Sequence, residues 1–337
     1  MYLSSPNTFA ERMNPHAIAV QNATRWLQDV FFTCLITCLL VSFSYAQKQV
    51  AITIDDLPFT GAGSRVNLKE IIDLNEKLLE TAEKEQVPII GFVNEKRVLI
   101  EGEMEARTNI LRSWLAHGAS LGNHTFSHPS FFKTPLQDFQ REVIKGEVIT
   151  QMLLEGEGEE MRYFRHPFLN TGPTLEVKAA FEQFLSDHGY EIAPVTIESA
   201  DYVFNLIYSR AKDRGDTETM AYAADQYILH TGKMIDFFEE VTTKTIGRPI
   251  PQIYLCHDNE LHADHFIRLI HLFQEKGYEF ISLEEAMKDE VYRMEDVYVG
   301  RMGISWLHRW NKKNWMEYFR QEPEPAQRIF ELYKQKD

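Results

Sequence analysis

The chain has 337 residues, of which 44% are hydrophobic and 25% are charged. This is the composition of an ordinary globular protein, and it excludes collagen, coiled coils and an intrinsically disordered chain. The 50 acidic residues outnumber the 35 basic ones, which gives a formal net charge of −15. A polyanion would be repelled by such a surface, so nucleic acid is not expected as a partner.

An uncharged apolar stretch runs from Val30 to Ala46, preceded by Arg25 and ending in small residues. This pattern is typical of a secretory signal peptide, here residues 1–46, and it predicts an exported protein of the periplasm or the extracellular space. After cleavage no membrane partner is expected. Because the stretch is only 17 residues long, and about 20 are needed to span a bilayer, an uncleaved membrane anchor stays open as an alternative. A lipoprotein modified at Cys38 is a weaker alternative, since apolar sequence continues past that residue.

Beyond Ala46, short apolar runs alternate with amphipathic helical patterns, as in βα units around a parallel sheet. Helices are predicted after Asn67 as N-cap, from Thr134 and Pro135 in N-cap and N1 order, and from Glu260. The seven strand-like runs are Val50–Ile54, Pro88–Val93, Ala119–Gly122, Arg162–Arg165, Glu191–Ile197, Gln252–Cys256 and Glu279–Ser282. The alternation fits either an open doubly wound sheet or a barrel. No glycine-rich dinucleotide fingerprint follows Ile54, where a Rossmann fold would need one.

The sequence changes character after Ala286, where it becomes rich in charge and tryptophan. We therefore expect a main domain over residues 47–288, followed by a C-terminal helical appendix over residues 289–337. Cys256 is the one cysteine beyond residue 46, and a lone thiol of this kind is expected to be buried and inert.

Unusual polar residues follow the predicted strands. In parallel α/β folds the carboxyl ends of the strands share one rim, which is where sites are built. We therefore expect these side chains to gather in space. They are Asp55 and Asp56 after the first strand, Asn94 after the second, His124 and His128 after the third, Arg165 and His166 at the fourth, Asp201 after the fifth and His257 after the sixth.

His124 and His128 stand four residues apart, so one turn of chain can aim both imidazoles at one ion. Taken alone, such a pair is more often two surface histidines, and adjacent aspartates often mark a turn. Together with a carboxylate from Asp55 or Asp56 they form the ligand set of a hydrolytic metal, usually Zn²⁺, with Co²⁺, Mn²⁺ or Fe²⁺ also acceptable. The other carboxylate is then free to handle protons, and His257 is placed to act as an acid.

A second metal cluster of His257, His262 and His265 is disfavoured. The stretch from Glu260 to Phe273 is predicted to be a helix, with His262 and His265 along its outside.

These motifs resemble those of the polysaccharide deacetylases, carbohydrate esterase family four, which contains the NodB homology domain. The resemblance covers Val50 to Met287, with the motifs in the family's order. The similar stretches are Thr53–Asp56, His124–His128, Phe164–Phe168, Asp201-Tyr202 and Leu255–His257. His166, Phe168 and Tyr202 depart from the proline, tyrosine and tryptophan that many members have at these positions.

The resemblance implies a role for each matched residue. Asp55 would be the catalytic base, Arg165 would orient it, and His257 would be the general acid held by Asp201. The metal ligands would be Asp56, His124 and His128. Pro167 and Phe168 would line the substrate groove, with the Phe168 backbone N–H helping to hold the oxyanion.

The implied fold is an incomplete (β/α) barrel of about seven parallel strands, a deformed TIM-like barrel, with residues 47–288 as its catalytic domain. The implied reaction is removal of acetyl groups from an acetylated glycan, an N-acetylglucosamine-type polymer or acetylated xylan. Two alternatives stay open: hydrolysis of a non-sugar amide by the same barrel, and an exported carbohydrate-binding protein without activity. The second would use Trp306, Trp310, Trp315 and Phe319 as a stacking platform.

Overall fold

The computed structural model describes residues 47–61 and 65–335. The predicted signal peptide, with Cys34 and Cys38, lies outside the described residues. None of the helices in the described part of the chain combines the length and the apolar character that crossing a bilayer requires.

Strands and helices alternate along the described chain. The strands are β1 (Lys48–Leu57), β2 (Ile89–Val93), β3 (Ser120–Asn123), β4 (Tyr163–Phe164), β5 (Glu191–Ile192), β6 (Ile197–Glu198), β7 (Gln252–His257) and β8 (Tyr278–Phe280). The helices are α1 (Leu68–Lys84), α2 (Met104–Ala116), α3 (Leu136–Lys145), α4 (Val148–Glu157), α5 (Leu175–Asp187), α6 (Asp201–Asp213), α7 (Thr217–Ile246), α8 (Glu260–Glu275), α9 (Leu283–Ala286), α10 (Trp306–Trp310), α11 (Trp315–Phe319) and α12 (Gln327–Lys334).

The strands form one parallel sheet in the order β5-β4-β3-β2-β1-β7-β6, with β8 beside the start of β1. The two end strands of this order, β5 and β6, are separated by only four residues of chain. This connection bonds to both sides of the sheet: the Ala193 N–H donates to the Phe164 carbonyl at 2.8 Å, and the Thr196 N–H to the Ile253 carbonyl at 3.0 Å. The sheet therefore curls round through one irregular segment. The predicted incomplete (β/α) barrel is confirmed.

Strand β1 lies in the middle of the sheet and is buried from Val50 to Leu57. It reads as an almost continuous apolar run because barrel strands are covered on both faces. Its parallel pairing with β7 places Asp55 directly beside His257. Two polar residues that are about two hundred positions apart in the sequence thus reach the same level of the barrel rim.

The N-caps of two helices were predicted from the sequence, and one of the two predictions is confirmed. Helix α1 begins as predicted, since Asn67 Oδ1 accepts from the Glu70 N–H at 3.1 Å and the Glu70 carboxylate accepts from the Asn67 N–H at 2.7 Å. The prediction for α3 was wrong by one residue. Pro135 is the N-cap, and the Thr134 hydroxyl instead donates to the Ser130 carbonyl at 2.9 Å in the preceding turn.

The run predicted as a single strand over Glu191–Ile197 is divided into β5 and β6. Pro194 lies between them and has no N–H with which to continue a ladder. Cys256, on β7, is free and fully buried, as expected.

We predict that Asn67→Ala lowers the free energy of unfolding by about 1 kcal/mol, because the N-terminal N–H groups of α1 lose their acceptor. Urea unfolding measures this difference. The control is Glu80→Ala, an exposed position in the same helix, for which a change within about 0.5 kcal/mol is expected. Equal effects of the two substitutions would contradict the capping role.

Candidate active site

Most of the polar residues predicted to gather do so at one rim of the barrel, around a cleft of about 530 Å³, although Asn94 and His166 are not among the residues that line it. The sequence-predicted residues that line it are Asp55, Asp56, His124, His128, Phe168 and His257. Arg165 and Asp201 lie behind this lining, fully buried or nearly so. Carboxyl ends of parallel strands meet at one edge, and this is why strands far apart in sequence supply one cleft.

Asp56, His124 and His128 bring one carboxylate oxygen and two imidazole nitrogens to within 4.8 Å of one another. Asp56 Oδ1 lies 3.6 Å from His128 Nε2 and 3.9 Å from His124 Nε2. The same oxygen is buried, and it has no hydrogen-bond partner in the described structure. A buried carboxylate oxygen without a partner, facing two imidazole nitrogens, is well suited to a divalent cation.

The protonation states of this trio also suit a cation. His124 Nδ1 lies 2.8 Å from the Arg165 carbonyl and must donate to it, so Nε2 carries the lone pair that faces Asp56. Burial lowers the pKa of His124 well below its usual value, and it also lowers that of His128. Burial alone would raise the pKa of Asp56, but Arg97 and the nearby imidazoles hold it well below its usual value. A cation needs neutral imidazoles and an ionised carboxylate as ligands, and these directions of the pKa shifts favour that state.

Arg97 is a site residue that sequence reasoning missed. Its guanidinium lies 3.4 Å from Asp56 Oδ2, and the Thr60 hydroxyl donates to the same oxygen at 3.2 Å. Arg97 follows the predicted strand-end residue Asn94 by three positions, on a short 3₁₀ turn. Its position close to a strand end is the one sequence feature that could have pointed to the site. Nothing in the neighbouring sequence indicates that Arg97 reaches the Asp56 carboxylate.

Several residues of the rim adopt left-handed backbone conformations. Asp56 has φ 73°, Thr125 φ 67°, His128 φ 60° and Phe168 φ 55°. Residues with a Cβ occupy this region at a cost, and such strain clusters at sites that need particular side-chain directions. At Asp56 and His128 the turn directs the side chains toward one another.

Asp55 and Arg165 form a buried pair beside the trio. Asp55 Oδ1 lies 3.5 Å from Arg165 Nη1, and its Oδ2 lies 3.6 Å from His124 Nε2. Arg165 is held by donation from Nε to the Ala193 carbonyl at 2.9 Å and from Nη2 to the Thr53 hydroxyl at 3.0 Å. Burial raises the pKa of Asp55 to about 6, although Arg165 and His257 oppose the increase. Such a carboxylate can accept a proton near neutral pH.

His257 lies on the strand next to that of Asp55 and is paired with Asp201. His257 Nδ1 donates to Asp201 Oδ1 at 2.8 Å, and Asp201 Oδ2 accepts from the His257 N–H at 3.1 Å and from Asn259 Nδ2 at 3.0 Å. Burial alone would lower the pKa of His257, but the charge and hydrogen bond of Asp201 raise it to about 10. His257 is therefore an imidazolium at neutral pH, with Nε2–H available to donate.

The prediction that His262 lies on the outside of its helix was wrong. His262 is only 1% exposed, and its Nδ1 lies 2.9 Å from the His257 carbonyl and its Nε2 2.6 Å from the Tyr227 hydroxyl. The apolar residues Leu261, Ala263 and Phe266 are buried with it, so the N-terminal turns of α8 face the barrel. His265 is half-buried. In the described residues, Asp56, His124 and His128 are the one group with suitable metal-ligand spacing.

The three residues of interest in the loop after β4 differ in their exposure to the cleft. The Phe168 ring is 57% exposed, and its centroid lies 4.4 Å from that of His128. Pro167 is buried. His166 is buried as well, packed edge-on to Phe164 and away from solvent, with neither ring nitrogen hydrogen-bonded in the described structure. His166 is not among the residues that line the cleft.

Comparisons with known proteins agree with the motifs. Residues 44–193 match the family model described as Polysaccharide deacetylase. The match includes the trio, Asp55, Arg165 and Phe168, whereas Asp201 and His257 lie beyond it and join the site only through the fold. The resemblance to the polysaccharide deacetylase family is thereby confirmed.

A curated relative is the peptidoglycan-N-acetylglucosamine deacetylase of Bacillus cereus. It is 23% identical over 158 residues, which are 47% of this chain and 48% of the relative. The chain thus spans about half the length of this curated relative.

Two similar solved structures belong to enzymes from a fungus and a bacterium. The chitin deacetylase of Colletotrichum lindemuthianum is 22% identical, with 72% of this chain and 89% of that chain covered and a TM-score of 0.49. The family 4 carbohydrate esterase of Streptomyces lividans, in complex with acetate, is 16% identical, with 71% and 95% covered and a TM-score of 0.43.

We predict that the pKa of His257, followed by NMR of its ring protons, is about 10 in the wild type and falls in Asp201→Asn. The substitution removes the negative charge that stabilises the imidazolium and leaves burial, which favours the neutral ring. Asp225→Asn is the control, because it alters an exposed carboxylate that pairs with Arg268. An unchanged pKa in Asp201→Asn would show that the pair does not govern His257.

Proposed function

We propose that this protein is a metal-dependent hydrolase that removes acetyl groups from an acetylated carbohydrate. The substrate would be an N-acetylglucosamine-type polymer or acetylated xylan. The observation that carries the proposal is the convergence of the Asp56, His124 and His128 donor atoms within 4.8 Å. Asp55 and His257 flank that convergence from neighbouring strands. Such a constellation supplies a cation site, a base and an acid in one cleft.

Asp56, His124 and His128 would hold the divalent cation, with Zn²⁺ the first candidate and Co²⁺, Mn²⁺ or Fe²⁺ as others. When bound, a divalent cation of this kind acidifies water and adds positive charge near the reacting carbonyl. Arg97 keeps Asp56 ionised through its contact with Oδ2. This leaves Oδ1 free for the cation.

The chain's own residues would move the protons. Asp55 accepts a proton from the attacking water, and Arg165 fixes the carboxylate in place from its fully buried position. His257 donates a proton from Nε2 to the departing nitrogen or oxygen of the sugar, while Asp201 holds Nδ1. The backbone N–H of Phe168 would contribute a donor for the negative charge that develops on the carbonyl oxygen.

The shape and lining of the cleft favour a sugar over other acetylated compounds. Two exposed aromatic rings, Phe168 and Tyr202, line it together with polar side chains such as Glu198 and Asn205. Aromatic faces with hydrogen-bonding neighbours suit the alternating apolar and hydroxyl surfaces of a pyranose. Because His166, Phe168 and Tyr202 depart from the usual motifs, hydrolysis of a non-sugar amide is the second candidate.

The alternative of a non-catalytic binding protein with a tryptophan platform is disfavoured. Trp306 and Trp310 are 6% and 5% exposed, so their faces are occupied by the protein itself. An exported location, with the N-terminal apolar stretch as its signal, is part of the proposal. The curated relative is named as a peptidoglycan deacetylase. Peptidoglycan lies outside the cytoplasm, and this supports an exported protein that acts on a glycan.

We expect the protein supplied with Zn²⁺ or Co²⁺ to release acetate from N-acetylated chitooligosaccharides or acetylated xylan. Asp56→Ala and His124→Ala should abolish both metal binding, measured by calorimetry, and acetate release, because each removes one of three ligands. His188→Ala is the matched control, since that imidazole is exposed and far along the chain from the trio. Full acetate release by Asp56→Ala would refute the metal role, and no release by the wild type on any acetylated glycan would refute the substrate.

The pH profile tests the acid. A general acid works only while protonated, so kcat/KM of the wild type should fall as pH rises through the pKa of His257, about 10. His257→Ala should lower kcat by roughly 10² to 10⁴ fold and remove this alkaline limb. A limb that persists unchanged in His257→Ala would exclude His257 as the acid.

A further inference from the structure

The segment Asp296–Arg309, which belongs to the predicted C-terminal appendix, lies against the loop that carries Phe168. Asn170 Nδ2 donates to the Gly300 carbonyl at 2.8 Å, and the Thr171 hydroxyl donates to the Tyr298 carbonyl at 3.3 Å. On its other side the segment bonds to the chain between β5 and β6, through donation from the Trp306 N–H to the Val195 carbonyl at 2.8 Å. The segment thus spans the irregular part of the barrel.

The loop after β4 has an unfavourable backbone. Phe168 and Leu169 are consecutive residues with φ 55° and 51°. The left-handed region is disfavoured for residues with a Cβ, and two in succession need outside support. Packing of the Leu169 side chain gives part of this support, because Leu169 is buried. The Phe168 ring gives little, because it is mostly exposed.

Arg309 supplies one support. Its side chain is fully buried, and its Nη2 donates to the Leu169 carbonyl. Nε donates to the Ile304 carbonyl at 2.9 Å, Nη1 lies 3.2 Å from Asp296 Oδ2, and the guanidinium lies 3.7 Å from the Trp306 ring centroid. The rigid fork of a guanidinium can make these bonds at once, and a lysine ammonium cannot.

Gly303 is the second contact that holds this loop, and the contact requires a residue without a side chain. A Cβ at this position would lie 1.8 Å from the Phe168 carbonyl oxygen and 2.8 Å from its carbon. Gly303 also lines the cleft, beside Phe168 and Leu169. The backbone at Gly303 therefore lies against the carbonyl group of Phe168, in the peptide that joins Phe168 to Leu169, at a distance that only glycine permits.

We propose that Arg309 and Gly303 are positioning residues that hold the Phe168 backbone where its N–H can meet the developing oxyanion. This inference rests on the proposed function, in which Phe168 supplies that donor. It makes the C-terminal segment part of the active site. Arg309 holds the Leu169 carbonyl, and Gly303 packs against the Phe168 carbonyl. Together they fix the chain directly after the Phe168 N–H, and through it the direction of that N–H.

Gly303→Ala tests the proposal, with Met302→Ala as control in the same segment. The Met302 side chain is exposed, so its removal leaves the contacts of Arg309 and Gly303 in place. We expect Gly303→Ala to lower kcat by roughly 10² fold, the usual effect of losing one oxyanion donor. KM and Zn²⁺ affinity by calorimetry should stay near wild type, because neither depends on a bond made only in the transition state. Met302→Ala should keep kcat within about twofold of wild type.

A second variant, Arg309→Lys, covers the case in which Gly303→Ala does not fold. It retains the positive charge beside Asp296 but loses the bond to the Leu169 carbonyl, so kcat should again fall with KM and metal affinity retained.

A normal kcat in whichever variant folds, or a parallel loss of Zn²⁺ affinity, would overturn the inference while leaving the proposed function intact. A wild-type protein without acetate release would instead overturn the proposed function, and the inference with it.

Discussion

The site depends on the burial of two adjacent carboxylates, Asp55 and Asp56, at the end of the central strand. Two negative charges side by side in a buried place are unfavourable unless each receives different compensation. The fold gives Asp56 the Arg97 guanidinium and two imidazoles, which keep its pKa low. Burial dominates at Asp55 despite the buried Arg165, and its pKa rises. Two neighbours of the same type thereby receive opposite pKa shifts, which suit the roles of ionised ligand and proton acceptor that the proposed function gives them.

The same logic extends to His257 and Asp201. The carboxylate of Asp201 raises the pKa of His257, so an imidazolium lies on the strand next to the one that carries Asp55. Parallel register between β1 and β7 places the two groups beside one another. Behind them, His262 bonds to the His257 carbonyl, and hydroxyls of Tyr227, Tyr254 and Ser199 continue the chain of hydrogen bonds. His257 and Asp201 are thus held by a buried polar network, which is satisfied at each of these contacts.

The C-terminal segment joins this arrangement from outside the barrel strands. Its bonds to the loop after β4 and to the chain around Val195 cover the place where the sheet is least regular. A barrel whose strands β5 and β6 are two residues long has few ladder bonds there. Buried contacts from Arg309 and Trp306 take their place, which links the stability of the appendix to the geometry of the cleft.

The strand and helix pattern, the capping of α1 by Asn67 and most of the polar residues at the rim could be predicted from the amino-acid sequence. They follow from the periodicity of apolar residues along the sequence, and from the rule that the carboxyl ends of parallel strands share one edge of the sheet. The partners of the rim residues could not be predicted in this way. Examples are the contact of Arg97 with Asp56, the burial of His262 and the packing of Gly303 against Phe168. These partners lie far apart along the chain, as for Arg309 and the Leu169 carbonyl, which are separated by 140 residues. Periodicity and capping report only contacts within a few residues, and the packing of whole elements selects the rest.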